Sequence, residues 1–433
     1  MTRADKETRK QSEEPLDAAL MTHPANEPVT SHDPYQALRY RDFRLLFIGT
    51  FIANIGQQMI TIAVGWELYD RTGSALALGI VGLVQIIPII LLSLPAGQLA
   101  DRLDRKRIVI AAQSVLAFAS VGLMILSFTH GSLVLIYGCL LLIGIGTAFN
   151  SPANSTLLPQ TVPEHLFANA ATWESGSWQL AAVLGPSLGG FIIALFHGAG
   201  LVYGLNAVAA LIFVALLLPL RGRYRVELPV GATTPGSLLE GVRFLGRSQI
   251  ILAAITLDLF AVLLGGATTL LPIYAKDILQ VGPTGLGWLR AAPSIGAVCV
   301  SLSIAHIPPF KRAGRTLLLA VAGFGLATFI FGISRSFWLS LLMLFLLGGL
   351  DNISVVIRST LLLTRSPDAM RGRVAAINYI FVGASNELGG FESGLAAQLF
   401  GPVISVAAGG IGTILVVLLV ALLWPEMRRL GRL

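Results

Sequence analysis

Charge is what this 433-residue chain has least of, since only 12% of its residues are Asp, Glu, Lys or Arg and 55% are hydrophobic. A typical soluble domain is about 25% charged, so the sequence cannot cover the surface of a water-soluble enzyme of this length. The mean hydropathy of +0.76 also excludes disorder for most of the chain. The shortage of charge therefore predicts an all-α polytopic membrane protein.

Cysteine is scarce as well. Cys139 and Cys299 are the only two, and each lies inside an apolar run far from the other. This spacing predicts neither a disulfide framework nor a metal site. The sequence also lacks the phosphate-binding pattern G-x-x-x-x-G-K-[ST], so ATP-driven transport by this chain alone is not expected. We therefore expect no cofactor and no metal.

Long apolar runs are abundant. A helix that crosses a bilayer needs about 20 apolar residues, and twelve runs qualify: 44–68, 75–98, 107–128, 132–155, 167–196, 200–220, 249–275, 284–306, 315–333, 337–361, 373–400 and 402–424. Residues 1–36 are polar and predict a disordered tail. The longest interior polar segment, 221–248, separates two predicted six-helix halves at 37–220 and 249–425, and a short tail, 426–433, ends the chain.

Basic residues are concentrated in the loops on one side of these spans. Twelve spans place both termini on the same side, and the loops of that side carry 18 Lys and Arg residues outside the first tail. The other loops carry only Arg71, Lys276 and Arg335. Because basic loops stay in the cytoplasm, both termini are predicted to be cytoplasmic. Because the basic residues lie in these loops, the net charge of +7 is explained by membrane topology in a lipid bilayer, and no nucleic-acid partner is expected.

An internal repeat relates the predicted halves. The segment 155–164 aligns with 359–368 at an offset of 204, and Pro88 meets Pro293 at nearly the same offset. Two six-helix halves related by a parallel repeat match a known transporter architecture, in which the substrate site lies between the halves.

The loop between the second and third spans carries a motif. Residues 97–107 read GQLADRLDRKR, which resembles the major facilitator signature G-x-L-x-D-R-x-G-R-[KR], with Asp104 in place of the second glycine. The resemblance implies the major facilitator fold. Asp101 would accept hydrogen bonds from the N-terminal amides of another helix or from an arginine, with Arg105 and Lys106 as counter-charges, and so form a conformational latch. The alternative is that the basic residues only anchor the topology. The predicted latch residues are Gly97, Asp101, Arg102, Arg105 and Lys106.

A second motif lies in the fifth span, where Gly185-Pro186-Ser-Leu-Gly189-Gly190 resembles the G-P-x-x-G-G core of the antiporter motif of exporters. Thr172 and Ala181 replace the upstream glycines of the full motif. The resemblance implies export, and the alternative is a packing kink without directional meaning.

The segments 66–85, 290–293 and 383–394 extend the resemblance to one bacterial branch, which contains the enterobactin exporters and related drug or secretion permeases. This branch implies efflux of a small amphipathic organic solute. Acids at membrane depth suit proton exchange, so we expect a secondary exporter of the bacterial inner membrane that is driven by proton antiport, with no oligomer required. An importer or facilitator remains an alternative. An alternative of another class is a membrane enzyme or sensor whose helices only scaffold a site.

Charged residues inside the spans are the candidate proton or substrate sites, because each is costly in lipid unless it is paired or functional. Asp258 is the deepest acid, and Arg290 is its candidate counter-charge. Glu67 is expected to be solvated at a span end, and Arg358 is expected to snorkel. The full candidate set is Asp258, Arg290, Glu174, Asp351, Arg358, Glu387 and Glu392.

Four further residues are predicted to line the substrate cavity. Trp173 and Trp178 of the fifth span would stack on an aromatic ligand. Asn150 and Gln179 would supply hydrogen bonds, although contacts between helices explain both residues equally well.

Overall fold

The computed structural model describes residues 33–220, 243, 246, 248–306, 310–367 and 370–431. The predicted tail up to residue 32 and nearly all of the predicted central loop lie outside these residues. The backbone alone is described at residues 94, 101, 102, 371–373, 375, 376, 379 and 380.

Twelve long helices make up most of the described chain, and each coincides with one predicted span. They are α1 Arg41–Thr72, α2 Ala75–Arg102, α3 Arg105–Phe128, α4 Leu133–Leu157, α5 Phe167–Phe196, α6 Gly200–Leu217, α7 Gln249–Leu264, α8 Gly282–Ala305, α9 Ala313–Ile333, α10 Phe337–Arg365, α11 Arg371–Phe400 and α12 Pro402–Leu423. Eleven of the spans are long and apolar enough to cross a membrane. The exception is α11, which has 30 residues but includes the acids Glu387 and Glu392.

The sequence pattern predicts one continuous helix at 249–275, but in the structure the seventh span is interrupted. After Gly265 and Gly266 the chain continues as a 3₁₀ turn, one α-helical turn and the π-helical segment Tyr274–Ile278. The break lies where α11 approaches closely, since a methyl group on Gly266 would be 2.5 Å from the carbonyl oxygen of Gly389. The regular α-helix is therefore interrupted where the two backbones pack closely against each other.

Helix packing repeats between the two halves. In the first half α1 packs on α5 and α6, α2 on α4, and α3 on α4 and α6. In the second half the helices numbered six higher form the same five pairs. The halves meet through α2 with α11 and through α5 with α8, which are also equivalent pairs. The chain therefore has the major facilitator fold with its parallel repeat.

The apolar core is shared on one side of the molecule and divided on the other. We call the side on which α1 begins and α12 ends the terminus side, and the opposite side the far side. On the far side one cluster of buried apolar residues includes Leu68 and Leu140 of the first half with Leu286 and Phe331 of the second. On the terminus side the two halves have separate clusters. The halves are thus joined mainly at the far side.

The last four residues of the predicted disordered tail, 33–36, are ordered. The carbonyl oxygen of Pro34 accepts hydrogen bonds from Asn169 Nδ2 and Trp173 Nε1, each at 2.9 Å. The ring of Tyr35 lies 5.7 Å from that of Trp173, measured between centroids. An aromatic contact and two hydrogen bonds therefore fix the start of the described chain against α5.

Candidate functional site

A central cavity of about 420 Å³ lies between the halves, toward the far side. Its wall includes Thr61 of α1 and Gln85 of α2 from the first half, and Arg290 of α8, Asn386 and Glu387 of α11 from the second. Polar groups from both halves thus face one space, as a solute site in this architecture requires.

Among the described residues, Arg290 and Glu387 are the two charged residues on the wall of the central cavity. The guanidinium Nη1 of Arg290 donates a hydrogen bond of 3.2 Å to the carbonyl oxygen of Thr268, next to the break after α7. Among the described residues no direct ion pair joins the Arg290 guanidinium to the Glu387 carboxylate. The cavity therefore offers a solute both a cationic and an anionic group.

A side cavity of about 260 Å³ adjoins the central one and shares Thr268, Thr269 and Asn386 with its wall. Gln179 of α5 and Asp351 of α10 line it. The carboxylate of Asp351 forms no hydrogen bond or ion pair with the described residues. The structure thus places Asp351 and Gln179, both predicted as site residues, beside the central cavity.

Asp258 and Arg358 form a buried ion pair between α7 and α10, and the two residues are only 5% and 4% exposed. Two expectations were therefore wrong, because Arg358 and not Arg290 is the counter-charge of Asp258, and Arg358 does not snorkel to the surface. A very small cavity separates this pair from Asp351 and is lined by both acids. Asp258 is thus a paired acid, whereas Asp351 borders open space.

A further cavity, the amino-terminal cavity, is lined only by described residues of the first half and has a volume of about 560 Å³. Asn150, Glu174 and Trp178 line it, as does Gln113, whose amide donates a hydrogen bond of 3.2 Å to Asn150 Oδ1. Trp173 is not among the described residues that line this cavity. Its indole N–H donates to the carbonyl oxygen of Pro34, a contact that the sequence pattern did not indicate.

The antiporter-like motif holds α5 against two other helices. A methyl group on Gly185 or Gly189 would approach the α1 backbone at 2.9 Å and 3.2 Å. On the other face, a methyl group on Gly190 would lie 3.0 Å from the Cα of Gly287 in α8, and one on Gly287 would lie 2.7 Å from the carbonyl oxygen of Pro186. The motif glycines therefore allow close packing both within the first half and between the halves.

The motif at 97–107, which includes the end of α2 and the start of α3 and which we call the α2–α3 loop, contacts its own half. Arg105 Nη1 donates to the carbonyl oxygen of Thr156 at the end of α4 at 2.9 Å. Lys106 Nζ donates to the carbonyls of Leu218 and Leu220 after α6 at 2.9 and 2.8 Å. Both are favourable placements of cations at helix C-termini. The side chains of the predicted latch residues Asp101 and Arg102 lie outside the described part of the structure.

Two other positions in this loop are informative. Asp104 takes the place of a glycine in the family pattern and is the N-cap of α3. Its Oδ1 accepts a hydrogen bond of 3.0 Å from the backbone N–H of Lys106. Relative to the glycine of the family pattern, capping by Asp contributes only roughly a few tenths of a kcal/mol. A methyl group on Gly97 would have no heavy atom within 4 Å, so this glycine is not required for packing in the described conformation.

Polar contacts between the halves close the far side, and the sequence pattern did not identify them. Lys276 Nζ lies 2.6 Å from Asp70 Oδ1, and the Tyr69 hydroxyl donates to the carboxylate of Asp277. Ser74 Oγ, at the start of α2, lies 3.0 Å from Gln398 Oε1 in α11. The π-helical segment after α7 thus presents two adjacent charged residues to the end of α1.

Glu67 and Glu392 are two further acids of the predicted spans. Glu67 is 7% exposed and forms an ion pair with Arg71, so the expectation that water solvates it was wrong. Glu392 in α11 is exposed and accepts a long hydrogen bond of 3.4 Å from Ser393 Oγ. The structure therefore places neither acid in the described central cavity.

Known proteins with similar sequences are membrane transporters. The family model described as transmembrane secretion effector matches residues 32–429. The chain belongs to this family. The enterobactin exporter EntS of Shigella boydii serotype 18 is 27% identical to this secretion effector over 399 residues, which are 89% of this chain and 92% of the exporter. EntS of Escherichia coli O1:K1 has the same identity and coverage.

Solved structures of transporters share the fold. The POT family transporter PepTSo superposes with a TM-score of 0.72 at 12% identity, covering 90% of this chain and 99% of its own. A bacterial homolog of the human lysosomal transporter Spinster gives 0.70 at 16%, covering 92% and 97%. At these identities the likeness shows the fold alone, and with the family it establishes a membrane transporter of the major facilitator type.

Proposed function

We propose that this secretion effector exports a small amphipathic organic solute from the bacterial cytoplasm by proton antiport. The observation that carries the proposal is the central cavity, which lies between the halves and is closed on the far side by contacts between them. The similarity to enterobactin exporters supports export of an organic solute. The excess of basic residues in the loops of the terminus side supports a cytoplasmic location for that side.

Under this orientation the described conformation faces the cytoplasm. The apolar core is divided on the terminus side, and a methyl group on Gly176 in the terminus-side part of α5 would meet no atom within 4 Å. A solute would enter between the halves from the cytoplasm and bind among Gln85, Arg290 and Glu387. Rocking of the halves would then open the far side.

Protons are proposed to couple through acids near this cavity. Glu387 lines the cavity itself, and Asp351 lines its side cavity without a described partner. An unpaired carboxylate at membrane depth is costly, so protonation is a natural way to neutralise it. Asp101 and the basic residues of its loop are proposed to latch the alternative conformation, since the described contacts of Arg105 and Lys106 stay within one half.

The experiment starts from the solute. Compounds that disappear from the medium of a deletion strain, and return on complementation, are tested for uptake into inverted membrane vesicles with an imposed pH gradient. Export by proton antiport predicts accumulation that collapses when the gradient is removed. Accumulation only in right-side-out vesicles would make the protein an importer, and no movement of any solute would favour a scaffold.

A further inference from the structure

The amino-terminal cavity has a wall that belongs entirely to α1, α3, α4, α5, α6 and the turn that follows α4, so it is not part of the interface that forms the central cavity. Its volume of about 560 Å³ exceeds the 420 Å³ of the central cavity. Gln57 on its wall precedes Thr61 of the central cavity by one turn of α1. The two cavities therefore follow one another along the same helix.

Buried oxygen atoms without partners are concentrated on this wall. Thr50 Oγ1, Asn154 Oδ1 and Glu174 Oε2 are each buried and have no hydrogen-bond partner among the described residues, and all three residues line the cavity. They come from α1, α4 and α5, so they converge from three helices. Leaving one such group unsatisfied costs about 1–3 kcal/mol. Three together are therefore expensive for the empty protein, and rotation of these side chains towards the cavity would let donor groups of a ligand satisfy them.

Neighbouring polar groups on the wall are already engaged. The Gln113 amide donates to Asn150, and Asn206 Nδ2 donates a hydrogen bond of 2.8 Å to Ser120 Oγ. These pairs fix three further side chains that line the same cavity. Side chains held in this way lose less entropy when a ligand binds against them.

The charge and the aromatic content of the wall define the ligand. Glu174 is the only charged residue among the lining residues, and Trp178, which is 50% exposed, supplies an aromatic ring. Anionic and aromatic groups together favour an organic cation. We propose that the amino-terminal cavity is a second binding site, which takes the ammonium or aromatic-amine part of an organic solute. The inference rests on the proposed function only in treating this ligand as a transported solute.

Ethidium, a permanently cationic aromatic amine, and the anionic dye 8-anilinonaphthalene-1-sulfonate serve as probes. Their binding to the full chain in lipid nanodiscs is measured by fluorescence titration. We expect Glu174→Gln to weaken ethidium binding at least tenfold, which corresponds to about 1.4 kcal/mol, and Asn154→Leu to weaken it severalfold. Binding of the anionic dye should not change. Glu164→Gln removes an exposed acid ten residues earlier and should leave both dyes unaffected.

A second measurement locates the dye. In a chain with Cys139→Ala and Cys299→Ala, ethidium should protect Ser151→Cys on the cavity wall from a maleimide. Absence of saturable ethidium binding, unchanged affinity in both cavity variants, or unprotected Ser151→Cys would each overturn the proposal. If one variant does not fold, Thr50→Val replaces it. Wild-type protein that binds ethidium at this site but moves no solute in vesicles would contradict the proposed function and leave the site established.

Discussion

The pairing of Asp258 with Arg358 changes what substitution of either residue should do. Two buried opposite charges compensate each other. Removal of one leaves the other uncompensated and lowers the free energy of unfolding by about 3–5 kcal/mol. Asp258 is therefore better placed to hold α7 against α10 than to carry a proton, although it is the deepest acid in the sequence pattern.

We predict that Asp258→Asn lowers the amount of folded protein, because Arg358 stays charged and buried. The double variant Asp258→Leu/Arg358→Met should recover folded protein, since it removes both charges while keeping apolar volume. Thermal unfolding in detergent and the yield of monodisperse protein measure both effects. Normal stability of Asp258→Asn together with a flattened pH profile of transport would show instead that Asp258 is the proton carrier.

Asp351 is the acid for which the structure supports a proton role. It borders the side cavity and has no partner in the described residues, so its protonation need not break an ion pair. We predict that Asp351→Asn keeps normal abundance and flattens the dependence of flux on pH between about 5.5 and 8.5, because an amide does not titrate in this range. The control is Glu392→Gln, an exposed acid outside the described cavities, which should retain the wild-type profile. An unchanged profile in Asp351→Asn would leave Glu387 as the candidate.

At the scale of elements, α5 carries more of the predicted site residues than any other helix. Its motif glycines pack on α1 and α8, and its terminus-side half supplies Glu174 and Trp178 to the amino-terminal cavity. The glycine spacing therefore has a direct structural explanation in close packing, which is compatible with export but does not require it.

A single methyl group tests the contact of α5 with α8. Gly190→Ala would place a methyl carbon 3.0 Å from the Cα of Gly287 and still nearer to the carbonyl oxygen of Pro283, so the helices must separate on the far side. We predict that flux falls at least tenfold while the protein still inserts. Gly176→Ala on the same helix meets no atom within 4 Å and should transport normally. Equal flux in the two variants would show that far-side closure does not depend on this contact.

The helices and their repeat could be predicted because both depend on local patterns, namely apolar length and the offset between halves. The partners of individual side chains could not be predicted in this way. Asp258 and Arg358 are one hundred residues apart in sequence, and only the packing of α7 on α10 joins them. The break at Gly266 likewise depends on Gly389 of α11, and the position of Trp173 depends on an ordered Pro34. A single sequence contains no pattern for such contacts.

At the scale of the whole molecule, the far-side contacts and the α2–α3 loop are expected to act in opposite directions. Lys276 with Asp70 joins the halves in the described conformation. The proposed latch of Asp101 would stabilise the conformation in which the far side is open. Transport requires that neither conformation dominates, because a ligand or proton can shift the equilibrium only by its differential affinity.

This opposition gives a prediction for accessibility from the far side. In a chain with Cys139→Ala and Cys299→Ala, Thr61→Cys in the central cavity reports far-side opening through its reaction with an impermeant maleimide. Lys276→Gln should accelerate labelling up to about fivefold, since the Lys276 and Asp70 side chains are 35% and 55% exposed and such pairs contribute about 0.2–1 kcal/mol.

Asp101→Asn should slow the same reaction, because it weakens the open-side latch, and the double variant should label at a rate near that of the wild type. Arg335→Gln, which removes an exposed far-side charge, is the matched control and should have no effect. If Asp101→Asn instead accelerates labelling, the loop stabilises the described conformation and the proposed latch has the wrong direction. If Lys276→Gln labels at the wild-type rate, the packing of α2 on α11 and of α5 on α8 is sufficient to keep the far side closed.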